Sequence, residues 1–452
     1  MRPNILYLHS HDTGRCIQPY GYAVETPHLQ RFAGEGVLFR QAFCAGPTCS
    51  PSRAAMMTGQ SPHNSGMLGL VHRGGRLRNY DEHLAAFLRA HGYATAQAGM
   101  QHECPGPERG RMGYDRLLCE EAAAPAGADG EEWTARRAAD FLADRHDRPF
   151  FLACGFHLTH RTGSGRQGFN GAASPLGDPR YVRPPAPLPD TPETRQDFAD
   201  FRVCASRLDA CMGGVLDALD RQGLASSTLV VVTTDHGIAF PFMKCNLTDH
   251  GMGVMLMMRG PRGFSGGRVV DALVSQVDVF PTVCEVAGLP LPAWLQGRSI
   301  LPVVDGRATA IRDELFGEVT FHAAYEPMRA VRTRRYKYIR RFAPRPHPVL
   351  PNTDDCISKE LLLAPGWRER LQAAEEFYDL LFDPNEACNR IDEGAYSEAV
   401  ADLRQRLERW MHATDDPLLR GKSLPAAGYR GNPADGLSPQ EPPLAACRYT
   451  TL

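Results

Sequence analysis

Cys49 stands at the start of a short predicted helix that ends at Gly59. Ser50 suits the N-cap of this helix, and Pro51 suits its first turn. The free amide groups and the dipole of a helix start attract an anion, and Arg53, one turn on, can place a planar cation at the same point. A nucleophilic thiol and an anion-binding position therefore coincide. The alternative is a structural cysteine before a surface helix.

Two apolar segments, residues 4–9 and 227–233, are typical of buried strands, and polar residues follow each of them directly. Open α/β sheets bind their ligands at the carboxyl ends of their strands. Carboxylates and imidazoles are common metal ligands, so these two strand ends are candidates for a metal site. A capping or turn role for each aspartate is the alternative. The residues concerned are His11 and Asp12 after the first strand, and Asp235 and His236 after the second.

Three further side chains follow predicted strands or the second metal motif: His102, His160 and Lys244. The pKa of an imidazole lies near neutrality, which suits it to proton transfer. Taken alone, the two histidines are equally well explained as loop residues and the lysine as a solvated surface charge. Their interpretation therefore depends on the motifs around them.

Composition excludes some classes of partner. The 452 residues include 50 Lys and Arg against 52 Asp and Glu, so bulk charge predicts binding neither to nucleic acid nor to an anionic membrane. The 13 cysteines are odd in number and form no Cys-x-x-Cys pairs, which favours reduced thiols over a disulfide framework. The N-terminus enters a strand without an apolar leader, and no segment reaches the length of a membrane span. These features predict a soluble, cytoplasmic protein.

The pattern of elements changes near residue 306. Residues 1–306 alternate strands and helices, which predicts a large α/β domain. Residues 307–452 are predicted to form a smaller domain with four antiparallel strands, an amphipathic helix over 398–412 and a Pro- and Gly-rich tail. A run of arginines and one lysine over 332–341 is interpreted as a solvated strand edge.

The segment Cys49-x-Pro-Ser-Arg53, followed by Ala and by Thr58-Gly59, resembles the signature of the formylglycine-dependent sulfatases, a family of the alkaline phosphatase superfamily. The resemblance implies an alkaline-phosphatase-like sandwich with a mixed central sheet. It also implies that Cys49 is oxidised to formylglycine by a formylglycine-generating enzyme. One hydroxyl of the hydrated aldehyde would attack sulfur, and the other would later allow sulfate to leave.

The resemblance also assigns metal ligands. Asp12, Asp235, His236 and the modified Cys49 match positions that bind one divalent ion in the family. His11 stands where the family has a second aspartate, and it is included as a ligand although it departs from the pattern. Oxygen ligands suit calcium, whereas histidine nitrogen favours manganese, iron or zinc, so calcium and manganese are both retained.

Other motifs match residue by residue. His102 occupies the histidine of the family's Gly-Lys-x-His motif, where it would contact the formylglycine hydroxyl, but Met100 replaces the lysine. Arg15 is the basic residue proposed to compensate in sulfate binding. The segment from His157 to Arg161 resembles the sulfamidases, in which His160 would contact substrate and protonate the leaving group. Lys244, like Arg53, would balance the charge of the anion.

The predicted function is hydrolysis of a sulfate ester or sulfamate of a small or sugar substrate. Hydrolysis of phosphonate monoesters or phosphodiesters is the enzymatic alternative, because relatives with Asp-His in the second metal motif catalyse it. A sulfated-sugar binding protein without turnover is the third hypothesis. The sequence leaves open the substrate, the oligomeric state, with a homo-oligomer as one option, and the modification of Cys49 itself.

Overall fold

The computed structural model describes residues 2–163, 168–169, 176–343, 345–421 and 428–444. Parts of the predicted tail, 422–427 and 445–452, lie outside these residues. The strands are β1 Asn4–His9, β2 Val37–Phe39, β3 Ala42–Phe43, β4 Ala94–Gly99, β5 Arg116–Leu117, β6 Phe150–Gly155, β7 Arg161–Thr162, β8 Gly168–Phe169, β9 Thr228–Thr233, β10 Leu256–Arg259, β11 Arg268–Val270, β12 Val274–Ser275, β13 Glu314–Phe321, β14 Tyr325–Thr333, β15 Tyr336–Arg341 and β16 Glu375–Asp379. The helices are α1 Pro27–Glu35, α2 Cys49–Thr58, α3 Pro62–Ser65, α4 Leu84–Ala90, α5 Leu118–Glu121, α6 Gly130–Ala143, α7 Pro192–Arg221, α8 Asp249–Met252, α9 Val279–Ala287, α10 Leu301–Val304, α11 Ile357–Leu363 and α12 Ser397–Ala413.

The larger sheet has eight strands in the order β11-β2-β10-β9-β1-β6-β4-β5. Only β10 runs antiparallel to its neighbours, so the sheet is mixed. The central strands β6 and β9 are buried along their whole length, which explains their uninterrupted apolar sequences. Successive residues of β1 enter different cores, because Ile5 and Tyr7 pack on one face of the sheet and Leu6 and Leu8 on the other. The result is a sandwich of helices, sheet and helices.

The second sheet is antiparallel, in the order β13-β14-β15-β16. Helix α12 covers one face of it, and Leu403 and Leu407 pack against Val331, Tyr338 and Phe377. This arrangement confirms the predicted fold class, an α/β sandwich followed by a smaller antiparallel α+β part. The boundary at residue 306 stays a prediction.

The basic run over 332–341 is divided between two environments. Arg334, Arg335 and Arg340 are exposed, as predicted for a strand edge, whereas Arg332 and Lys337 are buried. The buried pair binds Asp249 of α8, with Arg332 Nη2 2.8 Å and Lys337 Nζ 2.6 Å from its carboxylate oxygens. Lys337 also lies 2.9 Å from Glu386. The solvated-edge interpretation is therefore wrong for these two residues, which join the small sheet to the large one. We call these four side chains the Asp249 group.

Within the described residues, no helix combines the length and apolar character that crossing a bilayer requires.

Candidate active site

Cys49 is the first residue of α2, and its side chain is enclosed, with 2% of its surface exposed. Gly59 ends the helix with a φ of 68°, a left-handed conformation that glycine adopts at no steric cost. The predicted cap is wrong, because the N-cap is Thr48 and the Ser50 hydroxyl accepts a hydrogen bond from Val71 N at 3.1 Å. The predicted position of Cys49 at a helix start is correct. Burial raises the pKa of its thiol well above the usual range.

The two predicted strand ends meet because β1 and β9 are parallel neighbours, with His9 opposite Thr233. The backbone amide of Asp12 donates to Asp235 Oδ1 at 2.8 Å, which joins the loops directly. Asp12 has a φ of 56°, in the left-handed region that aspartate tolerates. Sharp turns after both strands thus direct the polar side chains into one space.

Five side chains converge there, and one potential ligand atom from each lies within 4.8 Å of all the others. All five are buried. They are His11, Asp12, Cys49, Asp235 and His236. We call this set the Cys49 cluster. It contains all of the residues predicted as metal ligands.

The hydrogen bonds of His236 show that the cluster suits a cation. Its Nδ1 lies 2.9 Å from the carbonyl oxygen of Gly237, which can only accept, so Nδ1 carries the proton. In the neutral ring, the Nε2 lone pair then faces Asp12 Oδ1 at 3.3 Å and Asp235 Oδ2 at 3.6 Å. Three acceptors that point at one another are satisfied by a positive ion, and a backbone carbonyl on the other ring nitrogen is usual for metal-binding histidines.

His11 lies on the same side of the cluster. Its Nδ1 is 2.8 Å from Asp12 Oδ1 and 3.2 Å from Asp235 Oδ2. Burial lowers the pKa of His11 to about 3, so its ring is neutral. One tautomer donates to these carboxylates, and the other presents a lone pair to a cation between them.

Two buried cations lie beside the carboxylates. Arg53 Nη2 is 3.0 Å from Asp235 Oδ2 and donates to the carbonyl of Ser10 at 2.6 Å. Lys244 Nζ lies 2.9 Å from Asp12 Oδ2. Burial alone would lower the pKa of Lys244, but Asp12 and Asp354 outweigh it and hold the pKa well above its usual range. Both predicted charge-balancing residues therefore lie at the cluster, fully charged.

The two predicted acid–base histidines lie at different distances from the carboxylates of the cluster. His160 lies at the mouth of the site, with 30% of its side chain exposed and Nε2 3.9 Å from Asp12 Oδ2. His102 lies further from the carboxylates, with its ring centre 5.9 Å from that of His11. It stacks on His72, and Nε2 of His102 is 3.3 Å from Nδ1 of His72.

Arg15 points to a different part of the molecule. Its Nη2 donates to the carbonyl of Ala42 at 2.7 Å, and its guanidinium lies 4.4 Å from the centre of the Phe43 ring. It lines a cavity of about 370 Å³ beside Asp249 and Arg332. The described contacts do not bring it to the Cys49 cluster, and its role in sulfate binding stays a prediction. Met100, which replaces the family lysine, is buried.

Four residues near the cluster were not predicted. Asp354 Oδ2 lies 2.9 Å from Lys244 Nζ, and His9 Nδ1 lies 2.6 Å from Arg53 Nη1. His72 contacts His102, and burial, with the nearby charge of Lys244, lowers the pKa of His322 well below its usual range. His9 could have been found from the sequence, because it ends the predicted strand directly before the polar residues of the first candidate metal motif. The other three come from connections without a motif.

A second buried group also contains a histidine and two carboxylates, but an arginine lies between its acids. His63 Nδ1 lies 2.6 Å from Glu318 Oε2, and potential ligand atoms of His63, Glu318 and Asp416 lie within 4.8 Å of one another. Arg329 occupies the space between the acids, with Nε 3.1 Å from Glu318 Oε2 and 2.5 Å from Asp416 Oδ2. We call these four side chains the Arg329 group. An internal cation already satisfies its carboxylates.

Comparison with known proteins gives matches over nearly the whole chain. The sulfatase family model matches residues 3–289, and a model described as N-sulphoglucosamine sulphohydrolase, C-terminal, matches residues 236–347. Human N-sulphoglucosamine sulphohydrolase is 31% identical over 442 residues, covering 87% of this chain and 87% of that protein. An ulvan-active sulfatase of Formosa agariphila is 26% identical over 470 residues, covering 92% of this chain and 76% of that protein.

Solved structures share the fold. One of them, in complex with its substrate D-glucosamine-2-N,6-O-disulfate, superposes with a TM-score of 0.67 over 92% of this chain and 99% of the other, at 18% identity. The phosphonate monoester hydrolase of Agrobacterium radiobacter superposes with a TM-score of 0.68 over 98% of this chain and 99% of the other, at 19% identity. Enzymes of both chemistries thus have this architecture, so the fold does not choose between them.

Proposed function

Because the chain belongs to the sulfatase family, whose members hydrolyse sulfate esters or sulfamates, we propose that it releases sulfate from a sulfated saccharide by means of a formylglycine formed from Cys49 and one divalent metal ion. The observation that carries this proposal is the position of the Cys49 side chain. Its Sγ lies 3.4 Å from His236 Nε2, at a helix start and within a group of metal-binding atoms. A nucleophile formed there would meet the sulfur of a bound sulfate group.

Asp12, Asp235 and His236 would hold the metal, with His11 as a further ligand. When bound, the ion would polarise a sulfate oxygen as a Lewis acid. The donor set mixes carboxylate oxygen with imidazole nitrogen, which favours manganese over calcium.

Formylglycine supplies two hydroxyls in its hydrated form, one for attack on sulfur and one for the later release of sulfate. Maturation of Cys49 would require a formylglycine-generating enzyme as a partner. A cysteine thiol has one S–H group and no hydroxyl that could later allow sulfate to leave, so unmodified protein would be nearly inactive.

Arg53 and Lys244 would hold the negative charge of the sulfate group. Arg53 is pre-oriented, because the Ser10 carbonyl, Asp235 and His9 fix its guanidinium from three sides. Fixed donors stabilise charge in a transition state without reorganising during the reaction.

His160 would protonate the leaving oxygen or nitrogen. This role is supported by its partial exposure, because a leaving group would depart towards solvent. His102 would assist release of sulfate from the modified residue, and its contact with His72 orients its ring.

A saccharide substrate, in particular an N-sulfated amino sugar, is supported by two similarities. The chain matches the C-terminal model of N-sulphoglucosamine sulphohydrolases and is 31% identical to the human member. The Formosa agariphila relative, as its name states, is a sulfatase active on ulvan.

The experiment is mass spectrometry across Cys49, metal analysis and a parallel assay on glucosamine N-sulfate, an aryl sulfate and a phenyl phosphonate monoester. We expect formylglycine at position 49, one divalent ion per chain and activity that follows the extent of modification. Faster turnover of the phosphonate would support the alternative activity. Fully modified, metal-loaded protein that turns over none of the three would contradict the proposed function.

A further inference from the structure

The C-terminal part of the chain contributes two polar side chains to the site. His322 directly follows β13, and Asp354 lies in the connection between β15 and α11. These segments are tied together, because the side chain of Asn352 accepts a hydrogen bond from the amide of Ala324 at 2.8 Å. The site is therefore built from both sheets, and the second sheet supplies its wall beside Lys244.

The carboxylate of Asp354 is only partly used. Its Oδ2 lies 2.9 Å from Lys244 Nζ, and the same ammonium lies 2.9 Å from Asp12 Oδ2. Asp354 is 8% exposed, yet its Oδ1 makes no hydrogen bond to any residue that the structure describes. Nearby, Nδ1 of the buried His322 also has no partner within the described residues. Among the described residues, His322 Nδ1 is thus buried and unpartnered, whereas Asp354 Oδ1 is an acceptor that is free for a ligand, and Lys244 joins Asp354 to Asp12.

The charge of Asp354 is unexpected at this position. Asp12 already neutralises Lys244, so Asp354 adds a second negative charge where an anionic substrate must bind. A largely buried carboxylate with one oxygen unpaired is stabilised less than a fully paired one, and its negative charge opposes sulfate binding. Such a residue is explained if a substrate group satisfies its free oxygen.

We propose that Asp354 is a substrate-binding residue whose Oδ1 accepts a hydrogen bond from a hydroxyl or N–H next to the sulfated atom, so that the site selects leaving groups with a donor there. The preferred class is a polyol or amino sugar with a free hydroxyl at that position. A substrate with a second acidic group there is rejected by like-charge repulsion. This inference rests on the proposed function.

Matched substrate pairs test it. Glucosamine N-sulfate is compared with cyclohexyl sulfamate, and 2-hydroxyphenyl sulfate with phenyl sulfate, because only the first member of each pair has a neighbouring donor. The readout is the ratio of kcat/KM values within a pair, which does not depend on the fraction of active enzyme. In Asp354→Ala, we expect this ratio to fall by at least about tenfold. In Asp354→Asn, kcat/KM for 2-carboxyphenyl sulfate should rise relative to kcat/KM for phenyl sulfate, because the like charge is removed.

The control is Asp355→Asn, which changes the adjacent carboxylate. Asp355 lies 2.8 Å from Lys359 and away from Lys244, so both ratios should stay at the wild-type value. If Asp354→Ala lowers kcat/KM equally for both substrates of a pair, Asp354 only positions Lys244 and the proposal is wrong. Wild-type enzyme that shows no preference within either pair also overturns it. Wild-type enzyme that hydrolyses none of the sulfates or sulfamates contradicts the proposed function instead.

Discussion

The Cys49 cluster and the Arg329 group contain the same kinds of side chain, two carboxylates with at least one histidine, and both are buried. They differ in what lies between the acids. In the Arg329 group, Arg329 reaches both Glu318 and Asp416. At the Cys49 cluster, Arg53 contacts Asp235 and Lys244 contacts Asp12, so each cation binds a different carboxylate, and Nε2 of His236 faces both acids.

This difference separates a candidate metal site from an internal salt bridge. Counting donor atoms assigns a possible ion to both groups, whereas the position of the internal cation assigns it to one. A guanidinium supplies several N–H donors and completes the Arg329 group. With Asp354 counted, each group has one more carboxylate than cations, but only in the Cys49 cluster does no cationic side chain of the described residues bridge the two carboxylates, so a divalent ion can bind there.

The largest expected effect is on catalysis. Cys49→Ala removes the side chain that the proposed modification requires, so kcat should fall by at least about 10⁴-fold. The fold should survive, because a small side chain replaces another small one. Parallel measurements of kcat and thermal unfolding check this. Activity within tenfold of wild type would show that Cys49 is not the nucleophile position.

Arg329→Met should affect stability rather than chemistry. It leaves Glu318 and Asp416 buried without their cation, which costs about 3–5 kcal/mol of the free energy of unfolding. Urea unfolding measures this loss, and kcat per folded molecule should stay unchanged. Arg31→Met is the control, since Arg31 and Asp217 form an exposed pair worth about 0–1 kcal/mol. A loss no larger than in the control would mean that the two buried groups do not differ as argued.

Metal analysis sharpens the contrast further. We expect one divalent ion per chain and at least about tenfold weaker binding in Asp235→Asn, because this change removes a charged ligand. Glu318→Gln, the matched change in the Arg329 group, should leave the stoichiometry at one. A second ion that disappears in Glu318→Gln would show that Arg329 does not exclude a metal.

The Asp249 group gives the smallest expected effect. Burial raises the pKa of Glu386 to about 7. The folded-state pKa exceeds the unfolded value, so the contribution of Glu386 to stability is present at low pH and is lost as pH rises towards 7. Between pH 5 and pH 8, wild type should lose about 2 kcal/mol relative to Glu386→Gln. Unfolding curves at both pH values test this. A constant difference between the two proteins would mean that Glu386 titrates normally.

The parts of the site predicted from sequence share one property. Asp12, Asp235 and His236 follow parallel strands whose ends must meet, and Cys49 begins a helix with clear end signals, so local pattern was sufficient. Asp354 and His322 could not be found in this way. Lys244 and Asp354 are 110 residues apart, and they meet only because the second sheet packs on the first.

The limits of local pattern are equally visible in residues that were interpreted wrongly. Arg332 and Lys337 were interpreted as edge residues, because strand alternation does not reveal that Asp249 packs against one face of the small sheet. The role of Arg15 in sulfate binding stays a prediction, but its placement away from the Cys49 cluster has a similar cause. The turn through Asp12 and Gly14, both with φ of 56°, redirects the chain after the metal motif. Backbone turns and docking between sheets are decided by contacts distant in sequence.

The burial of Cys49 also sets an order of events during synthesis. Its side chain is enclosed by residues as distant as His236, which is 187 positions later in the chain. At a ribosomal rate of roughly 5–20 residues per second, the thiol emerges about 10–40 s before the segment that covers it. The modifying enzyme proposed above would therefore have access to Cys49 in the nascent chain until β9 pairs with β1. If the proposed modification occurs, slower elongation between the two motifs would lengthen this interval and raise the modified fraction, whereas rapid folding would leave cysteine enclosed in the finished protein.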